Sequence, residues 1–121
     1  MRYDWMDEQL LAKPGVTRDY KVAWDMVRFM VDGKMFAAQG GNKAGEPILT
    51  LKCAPDWGEA LCAAYPDITP GYYTDKRHWI SVLRAGEVPD DLMRQLLDGA
   101  YDSLLATLSK KRQRELREAA L

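Results

Sequence analysis

Lys76-Arg77-His78-Trp79 sets two cations, an imidazole and a large ring in four consecutive positions, after Pro70-Gly71-Tyr72-Tyr73 and at the entry to a strand-like stretch. Such a cluster suits recognition of a polyanion, in which cations hold phosphates while aromatic rings stack or wedge. It also suits a plain strand entry, with Trp79 in the core, its neighbours turned outward by alternation, and His78 bonded locally. A second basic run, Lys110-Lys111-Arg112-Gln113-Arg114-Glu115-Leu116-Arg117-Glu118, has the same two readings. It could contact phosphates. It could equally be a solvated amphipathic helix docked by Leu116 and Ala120, with Lys111–Glu115 and Arg114–Glu118 at i,i+4 spacing.

Catalytic chemistry finds little support. His78 is the one histidine, and Cys53, Cys62, His78 and a carboxylate make no recognisable zinc spacing. Gly40 to Gly45 has the G-x-x-x-x-G spacing of a phosphate loop but continues as Glu46-Pro47, an anion where the motif needs a lysine. His78 and Ser81, three apart on one strand, would face opposite ways and could not form a dyad. Asp90-Asp91 falls at a helix start, where the helix dipole accounts for it. No enzyme activity and no cofactor are expected. A small-molecule pocket around Tyr72, Lys76 and His78 is the one remaining alternative of that kind.

The elements that must position these residues follow from periodicity. Asp4 reads as the N-cap of a first helix with Asp7 as its acidic partner, and Pro14-Gly15 stops it. Asp19 to Asp25 is ambiguous, although Tyr20, Val22 and Trp24 alternate as a short strand would. Val27, Phe29 and Val31 share a strand face, Asp32-Gly33 turns the chain, and Lys34 to Ala38 runs back as a hairpin. Ile48 to Cys53 is a third strand. Pro55 opens a helix that Pro66 ends. Asp67 to Asp75 is a turn-rich connection, and His78 to Arg84 is the last strand. Leu92, Met93, Leu96, Leu97, Ala100, Tyr101, Leu104 and Leu105 form a broad apolar helical face, and Ser109 can cap a final helix from Lys110 to Ala120. The expected order is α-β-β-β-α-β-α-α: an α+β two-layer sandwich, one twisted antiparallel sheet of about five strands with helices on one face.

At 121 residues, a single domain spanning 1–121 is the expectation. Its hydrophobic share of 47% and charged share of 29% exclude a disordered or collagen-like chain. Lys plus Arg is 17 against 18 for Asp plus Glu, so the surface as a whole is no polyanion magnet. The charge is uneven, however: residues 47–109 net −4 and residues 110–121 net +3. No apolar run approaches the ~20 residues a bilayer span needs, and nothing like a signal peptide precedes Asp4. Two cysteines without a C-x-x-C spacing read as free thiols, so a cytoplasmic protein is expected.

Several of these segments resemble the MmcQ/YjbR family. The front half of the resemblance is Lys13-Pro14-Gly15-Val16, Trp24 and Gly33-Lys34-Met35-Phe36-Ala37. Its back half is Leu51-Lys52-Cys53, Tyr65-Pro66, Pro70-Gly71-Tyr72 and Lys76-Arg77-His78-Trp79, then Val88-Pro89-Asp90 to Tyr101 and Leu108-Ser109-Lys110-Lys111. Asp75 stands where the family usually has Asn, which places a negative charge beside Lys76. The resemblance implies a compact α+β fold with two hairpins forming a double wing, and a DNA-binding role. Carried onto this chain, it makes Lys52, Lys76, Arg77 and His78 the phosphate candidates, with Arg28 and Lys34 on the first hairpin and Trp79 as support or wedge. Double-stranded DNA is the partner this implies. The alternative is a protein-interaction or self-associating domain, a homodimer included, using an open sheet edge and aromatic surface.

Overall fold

The computed structural model describes residues 2–71 and 74–119. Four helices, α1 (Met6–Leu11), α2 (Pro55–Ala64), α3 (Asp90–Leu105) and α4 (Lys110–Ala119), accompany six strands. The strands are β1 (Thr17–Lys21), β2 (Met26–Val31), β3 (Lys34–Gly41), β4 (Pro47–Lys52), β5 (Ile68–Pro70) and β6 (Trp79–Leu83). They form one antiparallel sheet in the order β1-β2-β3-β4-β6-β5. α3 packs on β3 and β4, α2 lies against β5 and β6, and α1 packs on α3, so the α+β class is as expected.

Register assigns each face. Phe29, Ala37, Leu51, Ile80 and Pro70 align across neighbouring strands, and Val27, Gln39, Leu49, Val82 and Ile68 form the parallel row two residues away. Except for the exposed Pro70, the apolar members of these rows pack with Leu97, Ala100, Leu104 and Leu116 in one core under the helices. Between them lies the row Asp19, Arg28, Ala38, Thr50, Ser81 and Thr69, on the helix-free face. A register shift between Phe29 and Met30 lets the consecutive Phe36 and Ala37 both reach the core, as a bulge permits. Thr50 and Ser81 are buried on the helix-free side, where their hydroxyls share a 3.0 Å hydrogen bond. Lys76 lines a groove with Thr69 and Ser81, and Thr74 lines a cleft with Trp24, Met26 and Met35. These two residues of the β5–β6 connection therefore lie over that face.

The structure has six strands rather than about five, because β1 and β5 carry almost no pattern of their own. β1 is mostly exposed and lies two or three residues earlier than the Tyr20–Trp24 alternation suggests. Val22–Trp24 instead forms a 3-10 turn closed by Asp25 at φ 48°. β5 is three residues inside the turn-rich connection. Asp4 does not cap α1: the N-cap position falls on Trp5 without a side-chain bond. Asp7 instead accepts a 2.6 Å hydrogen bond from Gln39 and pairs with Arg18 at 3.2 Å. Other local signals hold. Asp32 and Gly33 both take positive φ, as a tight hairpin turn requires. Pro55 opens α2, and Ser109 accepts the Arg112 N–H at 3.1 Å at the start of α4. Tyr72 and Tyr73, with the pocket reading through Tyr72, and Ala120, with its expected docking contact, lie outside the described residues.

Candidate nucleic-acid interface

One end of the sheet collects most of the cationic candidates. The Asp32-Gly33 turn between β2 and β3, the last residue of β4 and the first residue of β6 all lie there. This brings Lys34, Lys52, Arg77, His78 and Trp79 to a common edge. Lys52 and Trp79 are direct cross-strand partners, and the Lys52 ammonium lies 5.5 Å from the centre of the Trp79 ring, within cation–π range.

The turn before β6 is organised by Asp75. Its carboxylate accepts the Arg77 backbone N–H at 2.9 Å and bonds His78 Nδ1 at 2.6 Å. The His78 bond, then the Arg77 N–H, holds the Asp75 carboxyl below the usual range. The negative charge beside Lys76 is thus directed at the imidazole and the turn. Lys76 itself donates to the Gly71 carbonyl at 3.1 Å. Two backbone bonds fix the turn to the sheet: Cys53 N–H to the His78 carbonyl and Gly71 N–H to the Trp79 carbonyl, both 2.8 Å. Gly71 must be glycine here, because a Cβ would stand 2.5 Å from that of Trp79. His78 precedes the strand, and Ser81 is bonded to Thr50, so these two form no dyad.

Lys76, Arg77 and Trp79 also border a groove of about 480 Å³ whose wall includes Cys53, Gly58 and Cys62. Burial, with a smaller contribution from Cys62, pushes the Cys53 thiol up to about 11, and burial raises Cys62 as well. Both cysteines are free thiols, and neither has the depressed pKa of a reactive one. Among the described residues no three His, Cys, Asp or Glu side chains come together as a metal site, and no helix is long and apolar enough to cross a membrane.

Arg28 does not join this edge. It occupies the middle row of the helix-free face and binds Asp19 of β1 through two hydrogen bonds of 2.8 and 2.6 Å, which spend its charge internally. The ambiguity of β1 in the sequence hid this partner. Lys34 is exposed beside the hairpin turn, where Asp32 accepts two hydrogen bonds from Arg112, at 2.8 and 2.9 Å. α4 is thereby tied to the same end of the sheet, a connection that local spacing could not show. A second cleft, of about 840 Å³, opens on the helix-free face beside Trp24, which is 57% exposed with Lys21 5.2 Å and Arg28 5.8 Å from its ring.

These features define a small α+β domain built on an open antiparallel sheet, with helices on one face and a cationic strand end. The chain belongs to the YjbR family, whose model matches residues 11–103. It is 26% identical to the uncharacterized protein YjbR of Escherichia coli K12 over 106 residues, covering 88% of this chain and 89% of that one. It is 33% identical to the uncharacterized protein YbdF of Escherichia coli O157:H7 over 89 residues, 74% of this chain and 72% of the relative. The fold matches a crystal structure of the Deinococcus radiodurans protein DR2400, described as a DUF419 domain, with a TM-score of 0.84 and 28% identity over 93% of this chain and 86% of that one.

Proposed function

We propose that this chain is a small non-catalytic binding module that contacts the phosphate backbone of double-stranded DNA through the hairpin end of its sheet. The observation that supports it best is the Lys52–Trp79 cross-strand pair, preceded at once by the exposed Lys76-Arg77-His78 turn. Cations there can reach phosphates while the indole supports or wedges. Lys34 extends the edge along the neighbouring hairpin, while Arg28, paired with Asp19, lies away from it. With few contacts and a formal net charge of −1, binding is modest, in the non-specific range of roughly 10⁻⁴–10⁻⁶ M at physiological salt.

The test is a titration of labelled duplex DNA at 50 and 200 mM salt. Each phosphate contact contributes about 0.9 to the log–log salt slope, so every three contacts weaken binding about fortyfold over that interval, and further contacts multiply the effect. Lys76→Ala with Arg77→Ala should lower the slope by about two. Absence of binding at 50 mM, or a double variant that binds like the parent, would overturn the proposal. A second reading, a protein-interaction or self-associating domain, draws on Tyr20, Val22 and Trp24, exposed along and beside the edge strand β1. Light scattering on the same sample separates it: a concentration-dependent dimer without DNA binding would favour that reading.

A further inference from the structure

α4 carries the chain's one marked excess of positive charge. Residues 110–121 net +3, and the rest of the chain nets −4. The helix is anchored from one side only. Leu116 is its one buried residue among those described, seated against Gly15, while Arg112 and Gln113 are half-buried next to it. Arg112 is consumed by Asp32 and by Glu115, which it meets at 3.2 Å. A solvated, salt-bridged helix would pair Lys111 with Glu115 and Arg114 with Glu118. Among the described residues neither pair forms within 4.0 Å, and Glu115 is turned to Arg112 instead.

At 100° per residue, Lys110, Arg114 and Arg117 fall within about 60° of one another on the outward surface, with Lys111 and one carboxylate, Glu118, on its flank. All five are exposed. We infer that the Lys110–Arg114–Arg117 stripe of α4 is a second phosphate-binding surface for the backbone of duplex DNA, on the helix side of the sheet. This rests on the DNA reading above. The bidentate Arg112–Asp32 link ties α4 to the hairpin turn two residues before Lys34, while the stripe, on the opposite side of the helix from Arg112, faces away from that turn into solvent. The stripe is about 10 Å long at 1.5 Å per residue, matching about three phosphates at 3.4 Å of axial rise per strand. α4 lies beyond the residues matched by the family model, 11–103.

The experiment compares three proteins on labelled duplex DNA between 50 and 200 mM salt: the parent, Lys110→Ala/Arg114→Ala/Arg117→Ala, and Lys76→Ala/Arg77→Ala. The α4 triple variant should lower the salt slope by about three, with an unchanged melting temperature because all three side chains are exposed. Should that variant melt early, Arg114→Gln/Arg117→Gln gives the same readout with a slope loss of about two. A triple variant that binds like the parent while Lys76→Ala/Arg77→Ala weakens would overturn the α4 surface and leave the DNA reading standing. A parent that ignores duplex DNA overturns both. Vesicles containing phosphatidylserine are the third arm: a parent that binds them through α4 and not the duplex overturns this inference in favour of a membrane surface.

Discussion

Leu116→Ala tests how α4 is held. The leucine is 3% exposed and is the helix's one buried residue among those described. The substitution removes three carbons from the core, worth about 2.4 kcal/mol at about 0.8 kcal/mol per buried CH₂. The other ties are weak: the Arg112–Asp32 pair is exposed and contributes on the order of 0.2–1 kcal/mol. A ten-residue helix is marginal alone in water. The expected result is therefore local: α4 opens about sixtyfold more often while the sheet and α3 stay folded. Hydrogen exchange resolved by residue reads this directly. Amides of α4 should lose protection by that factor, and those around Leu97 and Ala100 should keep theirs. If α3 and α4 lose protection together, α4 is integral to the main cooperative unit. If α4 amides do not change, the Leu116 contact contributes nothing. Either result refutes the reasoning.

Gly15→Ala should loosen the same helix from the other side, because its φ is 76° and a Cβ would stand 2.6 Å from Leu116 Cδ2. Both positions carry the left-handed backbone cost of about 1–2 kcal/mol, so it is the Leu116 contact that should make Gly15→Ala lower the urea midpoint more than Gly33→Ala, where a Cβ meets open space at φ 75°. Ser81→Ala removes the partner of the buried Thr50 hydroxyl and should cost about 1–3 kcal/mol. A double-mutant cycle with Thr50→Val should show the pair costing less than the sum of the single changes. Maleimide at pH 8 should modify half-buried Cys62 before Cys53. Because the folded Cys53 pKa, about 11, lies above its ordinary 9.0, the fold favours the neutral thiol. Its contribution is complete below pH 9 and is lost as pH rises through about 11, so Cys53→Ala should flatten the decline of the urea midpoint over that window.

Much of the fold was legible locally because its signals are local. The Asp32-Gly33 turn, Pro55 at the start of α2, the Ser109 cap and the apolar face of α3 each depend on residues within a few positions of one another. β1 and β5 were poorly legible for the opposite reason: an exposed edge strand and a three-residue strand are defined by their partners, and the sequence around them has no period to read. The candidate site divides in the same way. Lys76-Arg77-His78-Trp79 is visible as a cluster because its members are contiguous. That Lys52 stands opposite Trp79, that Asp19 holds Arg28, and that Asp32 ties α4 to the hairpin by pairing with Arg112 are facts of register and docking across as many as eighty positions. The class of the fold and the inventory of charges follow from local patterning and composition alone. Which charges are spent inside the protein and which face outward was decided by the tertiary structure, because a cation's availability depends on where its nearest carboxylate lies in space.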